Sequence, residues 1–591
     1  MSIPVRGCFR AESAGPVGAV ELFNPYGKTE KGGGNMENAA AMNMMRRFCV
    51  GDFVRRRVLK IPQEEAIAMN YKGKITRRLT YGELNREANR FAHAIMELGV
   101  KKGDRVSILS HNCIQFVVYS LALSKMGAWI TPLNFALKGR EIVPLIKHSE
   151  PVMFIVEDDL VDTVREVEDE IASVTHRVMI NLSGKKPLPE GWLDFDNLCS
   201  ERYPDDEPCV EINGDDVMTL MYTSGTEAMP KGVMNSHANW CSTIMSFALD
   251  QVINLRSSYA AIQRRMRKPV GLGVAPLFHV TGQVMIFFHM FTAGRYILLH
   301  SPDPQIITQL IQEGEINRCS LAPTMLVNML NMPGGEDRIK KLFGTLEEVL
   351  LFGSPASENL LRKVMELLPN CQFHNYYGQS EVTPLGCKLF HDNLLKKTVE
   401  ANERFDGAEP IGQPVSMVEM KIVDEHDNEV PSGTIGEMVV RSPSVMMGYY
   451  KNPEKTFEVF RGGWLHTGDI GRMDEEYFFY FVDRKKDIIR TGSENVSSVE
   501  IEQWVVKHPK LSECTAVGLP HERWGQAVTI FVVPIPGTTI EEKEVIRYCR
   551  AGLAGYKVPK RAIILSEIPK NPSGKILKKA LREKYNGLYR E

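Results

Sequence analysis

The segment Tyr222-Thr223-Ser224-Gly225-Thr226-Glu227-Ala228-Met229-Pro230-Lys231-Gly232 gathers hydroxyls, glycines and one lysine behind the apolar run Val217–Met221. Glycine lets backbone N–H groups approach an anion closely, and hydroxyls with a lysine complete a phosphate cradle. It is not a Walker A loop, because Pro230 precedes the lysine and Gly232 follows where a magnesium-binding Ser or Thr should stand. A polar surface turn is the plain alternative. Further on, Phe373-His374-Asn375-Tyr376-Tyr377-Gly378-Gln379-Ser380-Glu381 carries an aromatic face for stacking, an amide that can donate and accept, and a carboxylate suited to Mg²⁺. Asp469, in Gly463-Trp464-Leu465-His466-Thr467-Gly468-Asp469, presents a carboxylate on a glycine turn that can accept two vicinal hydroxyls. Pro569-Lys570-Asn571-Pro572-Ser573-Gly574-Lys575-Ile576 reads as a mobile loop able to carry Lys575 into a cleft, or otherwise as part of a basic C-terminal face.

These residues need a scaffold. At 591 residues the chain exceeds one ordinary domain, and 43% hydrophobic with 24% charged residues is the composition of a globular enzyme. With 71 basic against 73 acidic residues, no global field favours nucleic acid or membrane. Eleven cysteines without a CxxC pair argue against a disulfide scaffold or a zinc site, and for a reducing compartment. The apolar windows Phe116–Leu123 and Val284–Phe291 are too short to span a bilayer, so a cytoplasmic protein without an integral membrane segment is expected.

Residues 1–45 lack apolar periodicity and the features of a signal peptide, and read as a disordered extension. Thr80 with Glu83 forms a capping box for a helix whose apolar face is Leu84, Ala88, Phe91, Ala92, Ile95 and Leu98. Gly103-Asp104 leads into a strand, Arg105–Leu109, and Phe116–Met126 into a helix, so α/β layers with parallel sheets are expected. Residues 185–208 read as a surface connection, and residues 407–450 as an antiparallel β region punctuated by Gly and Pro. Ser497 and Glu500 read as a second capping box, for a helix through Val506. Val517–Gly525 reads as a strand and turn.

In order and content these motifs resemble the adenylate-forming superfamily, of the acyl-CoA synthetase type, over roughly residues 80–578. That resemblance implies an α/β fold: a large N-terminal domain of layered α/β subdomains plus a β-rich lobe (residues 46–485), then a small mobile α+β domain (residues 486–591). It implies ATP, Mg²⁺ and CoA as cofactors, a carboxylic acid as substrate, and no nucleic acid; a monomer or a homodimer fits equally. Thr223, Ser224, Gly225, Thr226 and Lys231 then cradle phosphate. Gly353, Ser354, Asn375, Tyr376, Tyr377, Gly378 and Ser380 line the nucleotide, Asp469 takes the ribose, and Arg484 contacts ribose or phosphate. Glu381 and Thr226 hold the metal, Lys486 is the hinge, Gly492 lines the pantetheine tunnel, and Lys575, Thr226, Glu381 and His279 are catalytic. His279 gates the acyl pocket, to which His237, Trp240, Thr281, Phe352, Gly353, Tyr377 and Gly378 are assigned.

The sequence departs from the family pattern at Glu227-Ala228, where Thr-Gly is commoner, at Phe352, where a glycine is usual, at Ser380 for Thr, and at Ser493 for Gly. The expected activity is AMP-forming ligation to CoA of a hydrophobic acid, medium-chain fatty or aromatic or alicyclic. A non-CoA acceptor and a non-catalytic nucleotide-binding relative are the alternatives.

Overall fold

The computed structural model describes residues 43, 46–223, 230–253, 268–313, 316–342, 346–352, 356–405, 408–492, 494–570 and 576–589. The expectations for Ser224, Gly225, Thr226, Glu227, Ala228, Gly353, Ser354, Ser493 and Lys575, and for most of the N-terminal extension, lie outside these residues.

Two large sheets carry most of the chain. The first runs Gly448–Tyr449, Lys231–Ser236, Val217–Thr223, Trp129–Leu133, Arg105–Leu109, Met153–Glu157, His176–Ile180 and Leu193–Asp194. It is parallel from Val217–Thr223 to Leu193–Asp194 and antiparallel at the other end. The second has fourteen strands. Its parallel centre is Arg295–Leu299, Val270–Gly273, Arg318–Leu321, Glu348–Leu351 and Gln372–Tyr377. The β-rich lobe, including Glu409–Pro414, Glu419–Val423, Gly436–Arg441, Trp464–Met473 and Phe479–Arg484, continues that sheet with antiparallel pairing. A five-stranded sheet then gathers Ile489–Thr491, Glu494–Val496, Leu511–His521, Gly525–Pro534 and Arg561–Ile564.

Local chemistry explains the helices that fill the space between the two sheets. Tyr81–Glu97 starts at Thr80, whose hydroxyl accepts from the Glu83 N–H while the Glu83 carboxylate accepts from the Thr80 N–H, so two end donors are satisfied. Its face Leu84, Ala88, Phe91, Ala92 and Ile95 is buried. Ile114–Met126 is buried on every side, as a helix without a polar face must be. Val280–Phe291 is similarly enclosed, and all three share one core with the strands.

Two expectations are refined. Residues 185–208 are more than a surface connection: Trp192, Phe195 and Leu198 are buried, and Glu207 pairs with the interior Lys125 at 2.9 Å. At the second capping box the Ser497 hydroxyl accepts from the Glu500 N–H, but the Glu500 carboxylate reaches Lys557. Among the described residues all cysteines are free, and no helix is long and apolar enough to cross a membrane.

Candidate active site

The strands Val217–Thr223 and Lys231–Ser236 form an antiparallel hairpin whose register sets Thr223 opposite Lys231. The two ends of the phosphate-type loop are thereby held side by side. The Lys231 ammonium lies 5.1 Å from the centre of the Tyr449 ring. The Tyr449 hydroxyl donates to Glu381 Oε1 at 3.0 Å. Tyr449 arrives there because the short strand Gly448–Tyr449 leaves the lobe and pairs with Lys231–Ser236, its Gly448 at φ +141°. Asn235 of the same hairpin donates to the Ser380 carbonyl at 3.2 Å and to the Thr383 hydroxyl at 2.7 Å. These bonds join the turn carrying Ser380 and Glu381 to the first sheet. The reading of the sequence missed Tyr449 and Asn235; the aromatic doublet after Gly448 was the available signal.

Glu381 follows the strand Gln372–Tyr377, and between them Gly378 admits no side chain: a Cβ there would lie 1.4 Å from the Pro384 carbonyl oxygen. Tyr377 donates its hydroxyl to Asp469 Oδ2 at 2.6 Å, and Arg484 Nε lies 3.5 Å from Asp469 Oδ1. Burial and then the Asp469 carboxylate push the Tyr377 phenol well above its ordinary value, so it stays a donor. Asp469 faces Arg484 across the ladder, and Gly468, at φ +70°, makes the turn before it. Gly468 N–H donates to Glu437 Oε1 at 3.1 Å, and Glu437 also pairs with Lys485 at 3.0 Å. The carboxylate is thus held by the lobe on one side and by an aromatic hydroxyl on the other.

Asn375 turns its amide nitrogen toward Glu409 Oε1 and the Pro410 carbonyl, each at 3.4 Å. Burial raises the Glu409 carboxyl to about 7, against the pull of the Asn375 amide. Tyr376 stacks on Phe247 with centroids 5.2 Å apart, and Phe247 meets Phe288 edge-on at 4.4 Å. Phe247, Phe288, Met285 and Leu350 help to line a small cavity that also meets Arg318 and Glu348, themselves paired at 3.2 Å.

The remaining assignments separate. His279 is exposed and caps Val280–Phe291, its Nδ1 accepting from the Thr281 N–H. Phe352 is half-buried just beyond the strand Glu348–Leu351. His237 and Trp240 are enclosed in the interior: Trp240 donates to the Thr219 hydroxyl at 3.0 Å and meets Phe287 edge-on. Burial lowers His237 to about 4, which keeps it neutral. Lys486 is exposed at the passage into the five-stranded sheet, and the packing around its ammonium, followed by the neighbouring Arg484, lowers its pKa. Gly492, at φ +64°, donates its N–H to the Trp524 carbonyl at 2.8 Å. On either side of the Lys575 segment, Lys570 bridges Ile576 and the Leu577 N–H donates to the Pro569 carbonyl. Lys578 with Glu502 and Arg582 with Asp487 then fasten the following helix, Lys578–Lys584.

The site therefore combines a carboxylate, Asp469, with an aromatic hydroxyl and an arginine beside it, and a second carboxylate, Glu381, joined through Tyr449 to a lysine at a hairpin mouth. A family model described as AMP-binding enzyme matches residues 54–450, and one described as AMP-binding enzyme C-terminal domain matches residues 500–575. A long-chain-fatty-acid–CoA ligase of Mycobacterium tuberculosis is 30% identical over 515 residues, covering 86% of this chain and 93% of that protein. A feruloyl-CoA synthase of Amycolatopsis is 30% identical over 508 residues, covering 86% and 94%. Among known structures, ATP-bound MatB of Rhodopseudomonas palustris superimposes with a TM-score of 0.77 at 26% identity, over 91% of this chain and all of that one. The apo form of the same protein gives 0.66. Motifs, fold and relatives agree that this chain belongs to the AMP-binding enzyme family, the adenylate-forming enzymes, as an AMP-forming acyl-CoA synthetase.

Proposed function

We propose that the enzyme activates a hydrophobic carboxylic acid, medium-chain fatty or aromatic or alicyclic, and transfers its acyl group to CoA. The observation carrying this reading is the convergence of Tyr377, Asp469 and Arg484 with Glu381, Tyr449 and Lys231. The aromatic wall of Phe247, Phe288 and Tyr376 supports an apolar acyl group. The names of the fatty-acid and feruloyl relatives agree with that class.

A carboxylate is a poor electrophile and ATP is a polyanion, so joining them needs positive charge at the α-phosphate. Asp469 orients the ribose, Tyr377 covers the adenine, and Arg484 and Lys231 face phosphate or ribose oxygens. Lys575 neutralises charge as the acid oxygen attacks the α-phosphorus and pyrophosphate departs. Glu381 is the residue that would hold Mg²⁺: its carboxylate is a hard oxygen donor, and the Tyr449 hydroxyl already orients one of its oxygens. When bound, that ion supplies further neutralisation of the phosphate charge. In the second half-reaction the CoA thiol, losing its proton, attacks the acyl carbonyl, and AMP leaves. The segment after Lys486 turns between the steps, withdrawing Lys575 and presenting Gly492.

The test is AMP and pyrophosphate release with acids from acetate to palmitate, benzoate, cyclohexane carboxylates and amino acids, with and without CoA. CoA-dependent AMP formation with one hydrophobic class is the expected result. Turnover confined to acetate or to amino acids overturns the acid class, and pyrophosphate exchange indifferent to CoA overturns the acceptor.

A further inference from the structure

Away from the nucleotide, three strand ends bring together His111, Glu157 and His300. His111 lies just past Arg105–Leu109, Glu157 ends the neighbouring strand Met153–Glu157, and His300 follows Arg295–Leu299 of the other sheet. Glu157 Oε2 lies 3.1 Å from His111 Nδ1, and Oε1 lies 2.8 Å from His300 Nε2. The two imidazole centres are 4.6 Å apart. One ligand atom from each residue falls within 4.8 Å of the other two.

Two further features give this cluster the character of a built site. First, its parts are held in place. Phe135 stacks on His111 at 4.1 Å, Tyr71 meets the His300 ring edge-on at 4.9 Å, and Oε2 of Glu157 accepts from the Ser110 hydroxyl and the His111 N–H. Second, the charge is uncompensated by any permanent cation. The Glu157 side chain is 0% exposed, and its only ion pairs among the described residues are with these two histidines. A buried anion facing two imidazoles is the donor set of a borderline divalent cation: imidazole nitrogen and carboxylate oxygen suit Zn²⁺, whereas Mg²⁺ prefers oxygen alone.

We propose that His111, Glu157 and His300 form a binding site for a borderline divalent cation of the Zn²⁺ class, separate from the Glu381 site. With bonds of about 2.0–2.2 Å, tetrahedral ligand atoms stand about 3.4 Å apart, close to the carboxylate–imidazole separations seen here. Each ring becomes a ligand by moving its proton to the other nitrogen, so binding adds no charge to the protein beyond the ion itself. His111 is the least buried member, its side chain 22% exposed. The next residue, Asn112, donates to the Ala275 carbonyl and accepts from the Leu277 N–H, so the cluster is coupled to the segment that leads to His279. The ion would clasp the strand ends of the two sheets beside that segment.

The experiment uses the full chain, freed of metal by chelation and held in Mg²⁺ buffer, titrated with Co²⁺ as a spectroscopic substitute and then with Zn²⁺. One equivalent of Co²⁺ should give a visible d–d band that Zn²⁺ abolishes. His111→Gln and His300→Gln should each weaken binding by at least about tenfold, while Cys209→Ser, at an exposed thiol, leaves it unchanged. Metal-free melting curves show whether each variant is folded. His111→Cys adds a positive reading, a thiolate-to-cobalt charge-transfer band in a protein that melts as the parent does. Absence of the d–d band, or a band that survives both histidine substitutions, overturns the proposal.

Discussion

Lys125 with Glu207, and Arg484 with Asp469, are both charged pairs drawn out of water, yet they are finished differently. Lys125 is 0% exposed, and its ammonium donates to Asn85 Oδ1 at 2.7 Å, Asn89 Oδ1 at 2.6 Å and both Glu207 oxygens. Every ammonium proton is used inside the fold. At the nucleotide end, Arg484 Nε lies 3.5 Å from Asp469, a loose contact, with the Tyr377 hydroxyl on the other carboxylate oxygen. A guanidinium has five donors and a carboxylate about four lone-pair sites, so this pair keeps capacity for a ligand. Closed pairing marks a structural charge, and spare pairing marks a working one.

The sharpest break of that contrast sets two lysines against each other. Lys575→Ala should lower adenylation, followed by pyrophosphate exchange, by about 10²–10³ while leaving the melting temperature and thioester formation from preformed acyl-adenylate near the parent. Equal loss in both half-reactions would remove Lys575 from the first step. On the closed side, Glu207→Ala strands a buried ammonium and should cost about 3–5 kcal/mol in denaturant unfolding, with activity per folded molecule retained. Parent-like stability would show that the pair is not the closed structural unit described here.

Lys486→Pro addresses the passage between the halves: pyrophosphate exchange should persist while CoA ester formation slows, and parent rates in both assays would refute a hinge there. A smaller effect is expected from Tyr377→Phe, which takes one hydrogen bond from Asp469. The KM for ATP should rise by about tenfold at most, with little change in stability. A stability loss as large as that of Glu207→Ala would move Asp469 to the structural class.

Acid titration sharpens the comparison further. Burial pushes the Glu207 carboxyl up, but Lys125 and the hydrogen bonds from Asn85 and Asn89 bring its net value below the ordinary one. A carboxylate with a depressed folded value contributes stability that is complete above its unfolded pKa, about 4.3, and is lost as pH falls through the folded value. The stability gap between parent and Glu207→Gln should therefore be constant near neutrality and narrow below about pH 4. A gap that widens toward acid would contradict the assigned direction.

Local signals in the sequence carried much of this architecture. The Thr80–Glu83 box, the apolar stripe after it and the Val217–Met221 run specify helix and strand through contacts only a few residues apart, and all appear where expected. Asp469 on its glycine turn is legible for the same reason. Residues 185–208 misled because polar composition hides Trp192, Phe195 and the Glu207 carboxylate, whose burial depends on Lys125 some eighty positions earlier. His237 and Trp240, assigned to a pocket by position in a motif, sit in the interior, where Thr219 and Phe287 set the surroundings of Trp240.

The sequence by itself determined the family and the order of elements, because those depend on residue type and short spacing. Only the tertiary structure decided that Tyr449 crosses from the lobe to Glu381, that Asn235 bolts the Ser380 turn to the other sheet, and that His111, Glu157 and His300 share a point. Each of these joins strands far apart in the chain, and such contacts are chosen by the packing of whole sheets, which no local pattern encodes.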